Sequence, residues 1–236
     1  MTFQICQYAC MDTPASSNRR ASALTRERII EAAVALLDES GEPGLTFRAL
    51  AQRLETGAGA IYWHIDDKRD LVLAACDLFV GPAVQAPTDD APDVRVRAIA
   101  IGLFDAMEAH PWMGAALAVA AGELPLVRIL EALGRQVRAL GVDEAGQWST
   151  TQALMSYILG VGGQHAARSQ LARQQNLQRT RALTEVAQSW SELDADDYPF
   201  TRSMAAQLPH HDDRADFMAG VDLILNGVAQ QIAAHR

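Results

Sequence analysis

The chain has 236 residues, 49% of them hydrophobic, so it is long enough for one or two domains with a sizeable core. The net charge of −9 excludes a protein that coats nucleic acid through a broad basic surface, because such binding neutralises many phosphates. No run approaches ~18 apolar residues, and no basic segment followed by an apolar one opens the chain. We therefore expect no membrane span or secretory signal, and we predict a cytoplasmic protein.

Residues 1–22 are polar and mixed, which predicts a disordered tail. Within it, Arg19 and Arg20 are interpreted either as solvated charges or as an arm that reaches a DNA minor groove. Met1 and Met11 are equally good candidates for the biological start.

The three cysteines cannot form a disulfide framework, and none has a histidine at metal-binding spacing. Cys6 and Cys10 are interpreted as incidental, with a redox pair as the alternative. No function is predicted for Cys76.

Helical signals dominate the next segment. A helix is predicted from near Thr25 to Gly41, where the following Pro43-Gly44 prevents continuation. Leu45 precedes a Thr46 N-cap and can pack on Leu50, which predicts a second, short helix. After an interruption at Thr56-Gly57, residues 58–63 form a third. Two short helices at this spacing indicate a helix-turn-helix, whose second helix enters the major groove of DNA.

A fourth helix is predicted to begin at an Asp67 cap, with its inner face formed by Leu71, Ala74, Ala75 and Leu78. The proline- and aspartate-rich stretch at 81–92 predicts a domain boundary. We therefore divide the chain into a tail at 1–22, a helix-turn-helix domain at 23–80 and a second domain at 81–236.

The second domain shows no convincing alternating strand, so an all-α fold is predicted. Helices are expected at 94–109, 112–121 and 124–140. A long helix is expected from Asp143, loosened at Gly160–Gly163, followed by helices at 165–190 and 200–208 with an acidic loop at 193–199 between them. The last helix begins at Asp212 or Asp213 and carries one wide apolar stripe of Phe217, Val221, Ile224, Leu225, Val228 and Ile232.

The helix-turn-helix segment resembles the DNA-binding domain of the TetR family of one-component repressors, close to the tetracycline-repressor branch. The resemblance rests on Leu50-Ala51-Gln52-x-Leu54, Ile61-Tyr62-Trp63-His64 and Lys68-Arg69-x-Leu71, and it runs from about Thr25 to Cys76. It implies a three-helix DNA-binding domain followed by a helical domain for effector binding and dimerisation.

The resemblance further implies a ligand-responsive regulator, most simply a repressor that binds a palindromic operator as a homodimer and is released by a small molecule. The last helix and the one containing Leu154, Ile158 and Val161 would pair with their copies in a four-helix bundle; burial within one subunit is the alternative. A DNA-binding dimer without an effector is the second functional hypothesis. Because no nucleophile elbow, Walker loop, dinucleotide fingerprint or zinc-protease motif occurs, we do not expect an enzyme.

Base-reading positions carried over from the family fall on Thr46, Arg48, Ala58, Gly59, Ala60 and Tyr62, and phosphate contacts on His64 and Lys68. Arg48 is the strongest candidate, since its guanidinium can donate hydrogen bonds to O6 and N7 of one guanine. Residues 57–60 offer no side-chain hydrogen bond, but their small size allows close backbone approach and contact with thymine methyls. We therefore expect recognition to depend on Arg48, DNA shape and the N-terminal arm. Trp63 is interpreted as a residue of the core or of the groove wall, with base reading as the alternative.

An effector pocket is expected among the C-terminal helices, because such sites are mostly apolar with a few polar groups. The candidate lining residues, each with ordinary core packing as its alternative, are Phe104, Met107, Trp112, Met113, Trp148, Met155, Tyr157 and His165. The dense cluster His210-His211-Asp212-Asp213 is better interpreted as capping carboxylates beside surface histidines than as a metal site. No metal, cofactor or membrane partner is predicted.

Overall fold

A computed structural model describes residues 24–85, 90–174 and 179–234, so the predicted tail with Cys6, Cys10, Arg19 and Arg20 lies outside the described residues. The described residues form eleven α-helices and one short 3-10 helix at 208–210, with no strand among them, which confirms the all-α prediction. The helices are α1 (Arg26–Gly44), α2 (Phe47–Arg53), α3 (Ala58–Ile61), α4 (Lys68–Val84), α5 (Pro92–Ala109), α6 (Trp112–Ala118), α7 (Leu124–Ala139), α8 (Glu144–Gln174), α9 (Arg179–Ser191), α10 (Pro199–Met204) and α11 (Asp213–Ala234).

Side-chain caps begin three of the first four helices, as the sequence predicted. The Thr25 hydroxyl accepts a hydrogen bond from the Arg28 amide at 3.3 Å, and Thr46 accepts one from Ala49 at 3.1 Å. The Asp67 carboxylate accepts from the Asp70 amide at 2.8 Å. Each cap satisfies a backbone donor that the first helical turn leaves free, so these residues fix where the short helices start.

Two residues with positive φ shape the N-terminal region, here called the reading head (residues 24–67). Gly41, at a φ of 64°, divides the end of α1, which matches the predicted end of that helix. The turn between α2 and α3 uses Glu55 at a φ of 51°, whereas Gly57, which the sequence suggested as the interruption, has an ordinary φ of −82°. Of Gly41 and Gly57, it is therefore Gly41 that uses the conformational freedom of glycine.

The fourth helix joins the reading head to the rest of the chain, here called the body (residues 90–234). It continues four residues past the predicted boundary at position 80, through Gly81 and Pro82, and it packs on α1, α5 and α7. Leu71 and Ala75 are buried as expected, but Leu78 is 45% exposed. The prediction for Leu78 was wrong because this side chain lines an open cleft between α1, α4 and the start of α7.

The body is built on α8, which packs against α5, α6, α7 and α11. This helix passes through Gly160–Gly163 without interruption, so the predicted loosening was wrong. Close packing is seen at Gly162, where a Cβ would lie 2.3 Å from Cε of Met107, and at Gly114 on α6, where a Cβ would lie 2.8 Å from Cα of Gly163. The predicted helix at 165–190 is shared between the end of α8 and α9.

The last helix, α11, is capped by Asp212, whose carboxylate accepts hydrogen bonds from the amides of Arg214 and Ala215, both at 3.0 Å. Its predicted stripe is buried at Phe217, Val221, Leu225 and Val228 and half-buried at Ile224 and Ile232. By length and composition alone α11 could cross a membrane, contrary to the sequence-based expectation. Core helices of globular proteins pass the same test, and α11 packs on α5 and α8.

The positive φ of Glu55 gives a stability prediction. In the left-handed region the Cβ of Glu55 crowds the backbone, which costs roughly 1–2 kcal/mol, and glycine removes this cost. Glycine also loses more conformational entropy on folding, which offsets part of the gain. We expect Glu55→Gly to raise the free energy of unfolding by about 0.5–1 kcal/mol in urea denaturation. Glu55→Ala is the matched control and should show no gain; an equal gain in both variants would contradict the explanation.

Candidate nucleic-acid interface

Buried aliphatic residues hold the two short helices of the reading head together. Leu45, Leu50, Ile61 and Ile65 are each at most 1% exposed. Ile61 and Ile65 are four residues apart, and the backbone bond from the Ile65 amide to the Ile61 carbonyl, at 3.1 Å, keeps them on one side. The three residues between them are consequently turned away from the core.

These three residues, Tyr62, Trp63 and His64, are all exposed. Trp63 is 88% exposed, so the expectation that it packs in the core was wrong; contact with a groove wall stays a prediction. The third helix is also shorter than the predicted span of 58–63, because it ends at Ile61.

The remaining predicted contact residues lie on α2, α3 and the start of α4. Thr46, Arg48, Ala58 and Gly59 are exposed, whereas Ala60 and Lys68 are half-buried. Among the residues that the structure describes, no ion-pair partner lies near the guanidinium of Arg48. Its five donors are therefore free for an acceptor from outside the chain.

The Nζ atom of Lys68 donates to the backbone carbonyl of Glu42 at 2.6 Å and lies 3.7 Å from the carboxylate of the same residue. This lysine thus holds the end of α1 against the start of α4. An ammonium group has three donors, so a phosphate contact by Lys68 is compatible with this bond.

Gly57 and Gly59, at the start of α3, are not required by the fold. Gly57 and Gly59 have no left-handed φ, and a Cβ built on either would meet nothing within 4 Å. Glycine in a helix is less favourable than alanine by roughly 1 kcal/mol. The packing of the described residues gives no reason for glycine at these two positions, and close approach of a DNA backbone stays a prediction.

Sequence reasoning missed two residues that shape this surface. Arg26 donates to the His64 carbonyl at 3.0 Å and pairs with the carboxylate of Asp70 at 3.0 Å, which fixes the loop after α3. The ring of Phe47 stacks on Tyr62, with centroids 4.4 Å apart and planes at 13°. Neither contact is local in sequence, so no periodicity could have indicated it.

Hydrogen bonds also join the reading head to the body at α6. The carboxylate of Asp38, on α1, accepts a hydrogen bond from Nε1 of Trp112 at 2.8 Å, and Nδ1 of His110 lies 2.8 Å from the same oxygen. The His110 ring stacks on Phe79 of α4, with centroids 3.9 Å apart. The bonds to Asp38 thus tie the reading head to α6, and a separate ion pair of 2.9 Å between Arg69 and Glu123 joins α4 to the residue that precedes α7.

The residues predicted to line an effector pocket are mostly core residues. Phe104, Met107, Trp112 and Met113 are buried, and Met155, Tyr157 and His165 are half-buried. The Phe104 ring stacks on His165 at 4.8 Å and on Phe217 at 4.6 Å, while the Tyr157 hydroxyl donates to the Phe217 carbonyl at 3.0 Å. These rings pack on one another and fill the centre of the body.

Two of the predicted pocket residues line separate clefts. Trp148 is 64% exposed and borders a cleft of about 410 Å³ between α7 and α8. Trp112 borders one of about 630 Å³ between α1, α6 and α8. Within the described residues the eight candidates do not share one cleft, and membership of an effector site stays a prediction for each.

The side chains of the histidine-aspartate segment at the start of α11 contact one another and Arg179. Nε2 of His211 lies 3.0 Å from Asp213 and its Nδ1 lies 2.7 Å from Asp216, while Arg179 pairs with Asp213 at 2.6 Å. Burial acts to raise the pKa of Asp213, but the hydrogen bond and charge of Arg179, with His165 and His211 nearby, lower it overall. These contacts, with the cap by Asp212, account for the cluster through structural roles.

The buried Cys76 has a different electrostatic environment. Burial, with the charge of Asp77 as a smaller cause, raises the pKa of this thiol to about 12. It therefore remains protonated at neutral pH and is a poor nucleophile.

Comparison with known proteins is consistent with this geometry. Residues 29–75 match the family described as bacterial regulatory proteins, tetR family. A transcriptional regulator from Streptomyces coelicolor, SCO7222, described as a TetR, is 51% identical; the match covers 91% of this chain and 100% of that one, with a TM-score of 0.80.

Two matches to curated proteins are shorter. A helix-turn-helix transcriptional regulator from Saccharopolyspora erythraea is 32% identical over 62% of this chain and 63% of its own length. The class D tetracycline repressor from Escherichia coli is 49% identical over 21% of this chain and 22% of its own length. The chain thus spans less than two thirds of these curated relatives. The full-length match to the S. coelicolor regulator and the matching helix-turn-helix together show that the chain belongs to the TetR family of transcriptional regulators.

Proposed function

We propose that the protein is a ligand-responsive transcriptional repressor that binds a palindromic operator as a homodimer in the cytoplasm and is released by a small molecule. The observation that carries the proposal is the reading head: a capped helix-turn-helix with its apolar side buried and Arg48, Tyr62 and His64 turned to solvent. Arg48 would read a guanine, and Tyr62, His64 and Lys68 would contact the backbone, which sets register. A TetR regulator is expected not to be an enzyme, in agreement with the motifs that the sequence lacks.

A homodimer is favoured because one short recognition helix reads too few base pairs for specificity. The outer sides of α8 and α11 suit helix packing, since they combine small residues with an exposed leucine: Ser156 and Gly160 on α8, and Leu223, which is 73% exposed, and Gly227 on α11. A Cβ on either glycine would meet nothing within 4 Å in the single subunit. Close approach of a second copy explains why such exposed helical positions are glycine.

Release by an effector requires a route from the body to the reading head. That route is supplied by α4, which packs on α1, α5 and α7, and by the bonds of Asp38 to α6. A ligand that displaces α6 or α4 would change the separation of the two heads, with a coupling of about 1–3 kcal/mol between the two sites. Two proteins of the same fold, BioQ and ActR, at 24% and 20% identity, were crystallised with a DNA operator and with actinorhodin respectively.

The alternative is a DNA-binding dimer without an effector, in which the packed aromatic centre of the body serves assembly alone. Selection of bound duplexes from a randomised library, followed by thermal-shift screening of a compound collection, separates the two hypotheses. A specific ligand raises the melting temperature by mass action and should also weaken the operator complex. A wild-type protein that selects no duplex would overturn the whole proposal.

The first functional prediction concerns Arg48 and Tyr62. We expect Arg48→Ala and Tyr62→Ala each to weaken binding of the selected duplex, with Arg48→Ala losing about 1–3 kcal/mol at each half-site because a bidentate guanine contact disappears. Fluorescence anisotropy at fixed salt measures the loss, and sedimentation confirms that the dimer is intact. Arg135→Ala, an exposed arginine of α7 paired with Glu131, is the matched control and should bind as wild type. If Arg48→Ala or Tyr62→Ala bound the duplex with wild-type affinity, the assignment of that residue would be wrong.

The second functional prediction concerns the dimer. Gly160→Leu should leave the fold intact, because the position is open in one subunit, but should weaken association by overpacking that costs about 1–3 kcal/mol at each copy. Sedimentation equilibrium measures the dissociation constant. Ala139→Leu, at an exposed position of α7, is the control. Equal dimer stability in the two variants would place the interface elsewhere.

A further inference from the structure

Phe47 occupies an unusual place for an aromatic side chain, at the first position of α2 and next to the exposed Arg48. Its backbone is fixed by the preceding cap, since Thr46 accepts the hydrogen bond from Ala49. Its ring is half-buried and lies nearly parallel to that of Tyr62, with centroids 4.4 Å apart and planes at 13°. The stack therefore connects the start of one short helix with the end of the other.

Among the described residues, Phe47 supplies the ring that stacks on Tyr62. Tyr62 follows the last residue of the four-residue helix α3, and it is 56% exposed. The residues before it on α3, Ala58, Gly59 and Ala60, have no side chain that could pack along its ring. A freely rotating aromatic side chain would lose conformational entropy when it binds, whereas one already restricted by a neighbour would lose less.

We propose that Phe47 is a positioning residue for DNA recognition, whose ring fixes the Tyr62 phenol in the orientation that contacts the DNA backbone. Phe47 supplies no hydrogen bond; it acts by limiting the rotamers of Tyr62. A flat ring is needed, because offset stacking of two aromatic rings adds stabilisation beyond area burial that an aliphatic side chain does not supply. This inference rests on the proposed function, and in particular on the contact between Tyr62 and DNA.

The test is a double-mutant cycle in the full-length protein, with the duplex that the wild-type protein selects from a randomised library as the probe. The variants are Phe47→Leu, Tyr62→Ala and the pair combined, with Phe47→Tyr as the conservative variant that keeps the ring. We expect Phe47→Leu to weaken binding about two- to tenfold per reading head, and by the square of that factor for a dimer using both heads. Phe47→Tyr should retain most of the affinity. In the Tyr62→Ala background, Phe47→Leu should cause no further loss.

A second readout does not depend on DNA. In wild-type protein the Phe47 ring should shift the Tyr62 ring protons upfield in NMR spectra; Phe47→Leu should abolish this shift and Phe47→Tyr should keep it. Melting temperatures identify any variant that fails to fold. If Phe47→Leu does, the upfield shift in the wild-type and Phe47→Tyr proteins tests the stack without it, and the absence of that shift would contradict the proposal.

Two results would overturn the role of Phe47 while leaving the proposed function standing. One is an equal loss of affinity for Phe47→Leu in both backgrounds, which would mean that Phe47 acts on DNA independently of Tyr62. The other is wild-type affinity in Phe47→Leu. Failure of the wild-type protein to select any duplex would instead overturn the proposed function, and this inference with it.

Discussion

The burial of Ile61 and Ile65, one helical turn apart, is the constraint on which the reading head depends. Both side chains are at most 1% exposed, and they close the core beneath α2 and α3 together with Leu50. Because the two isoleucines face inward, the three residues between them must face outward. The same packing that stabilises the domain thus creates the surface that we propose reads DNA, and an apolar-to-polar change at either isoleucine would damage both at once.

The core of the head continues into the body without a gap. Buried residues from Ile29 to Leu225 form one cluster, and α4 contributes to both sides of it. A polar contact adds to this apolar one. One carboxylate oxygen of Asp38 accepts a hydrogen bond from the Trp112 indole and lies at hydrogen-bonding distance from Nδ1 of His110. Closely packed interiors transmit displacements, since side chains have few alternative arrangements. A shift of α6 would therefore displace α1 directly through the Asp38 contacts, and also indirectly through α4.

Glycine serves two different purposes along this chain. In the body, Gly114 allows α6 to approach the backbone of α8 at Gly163, and Gly162 leaves room for the methyl group of Met107. At Gly59 and Gly160 the single subunit shows no neighbour that requires glycine. The first group stabilises the fold by close packing. We interpret the second as weakening its helices slightly in return for contact with DNA or with a second copy.

The sequence by itself determined the fold class, the starts of the early helices and the family. Caps, apolar periodicity and turn residues act over a few positions, so Thr25, Thr46 and Asp67 could be assigned from their neighbours alone. Only the tertiary structure decided the surroundings of Trp63, the continuity of α8 through its glycines, the Phe47–Tyr62 stack and the bond between Asp38 and Trp112. It also showed that Phe104, His165 and Phe217 pack on one another in the body. These features depend on which distant elements meet, and a pattern of one side chain every three or four residues shows which face is apolar without specifying what that face contacts.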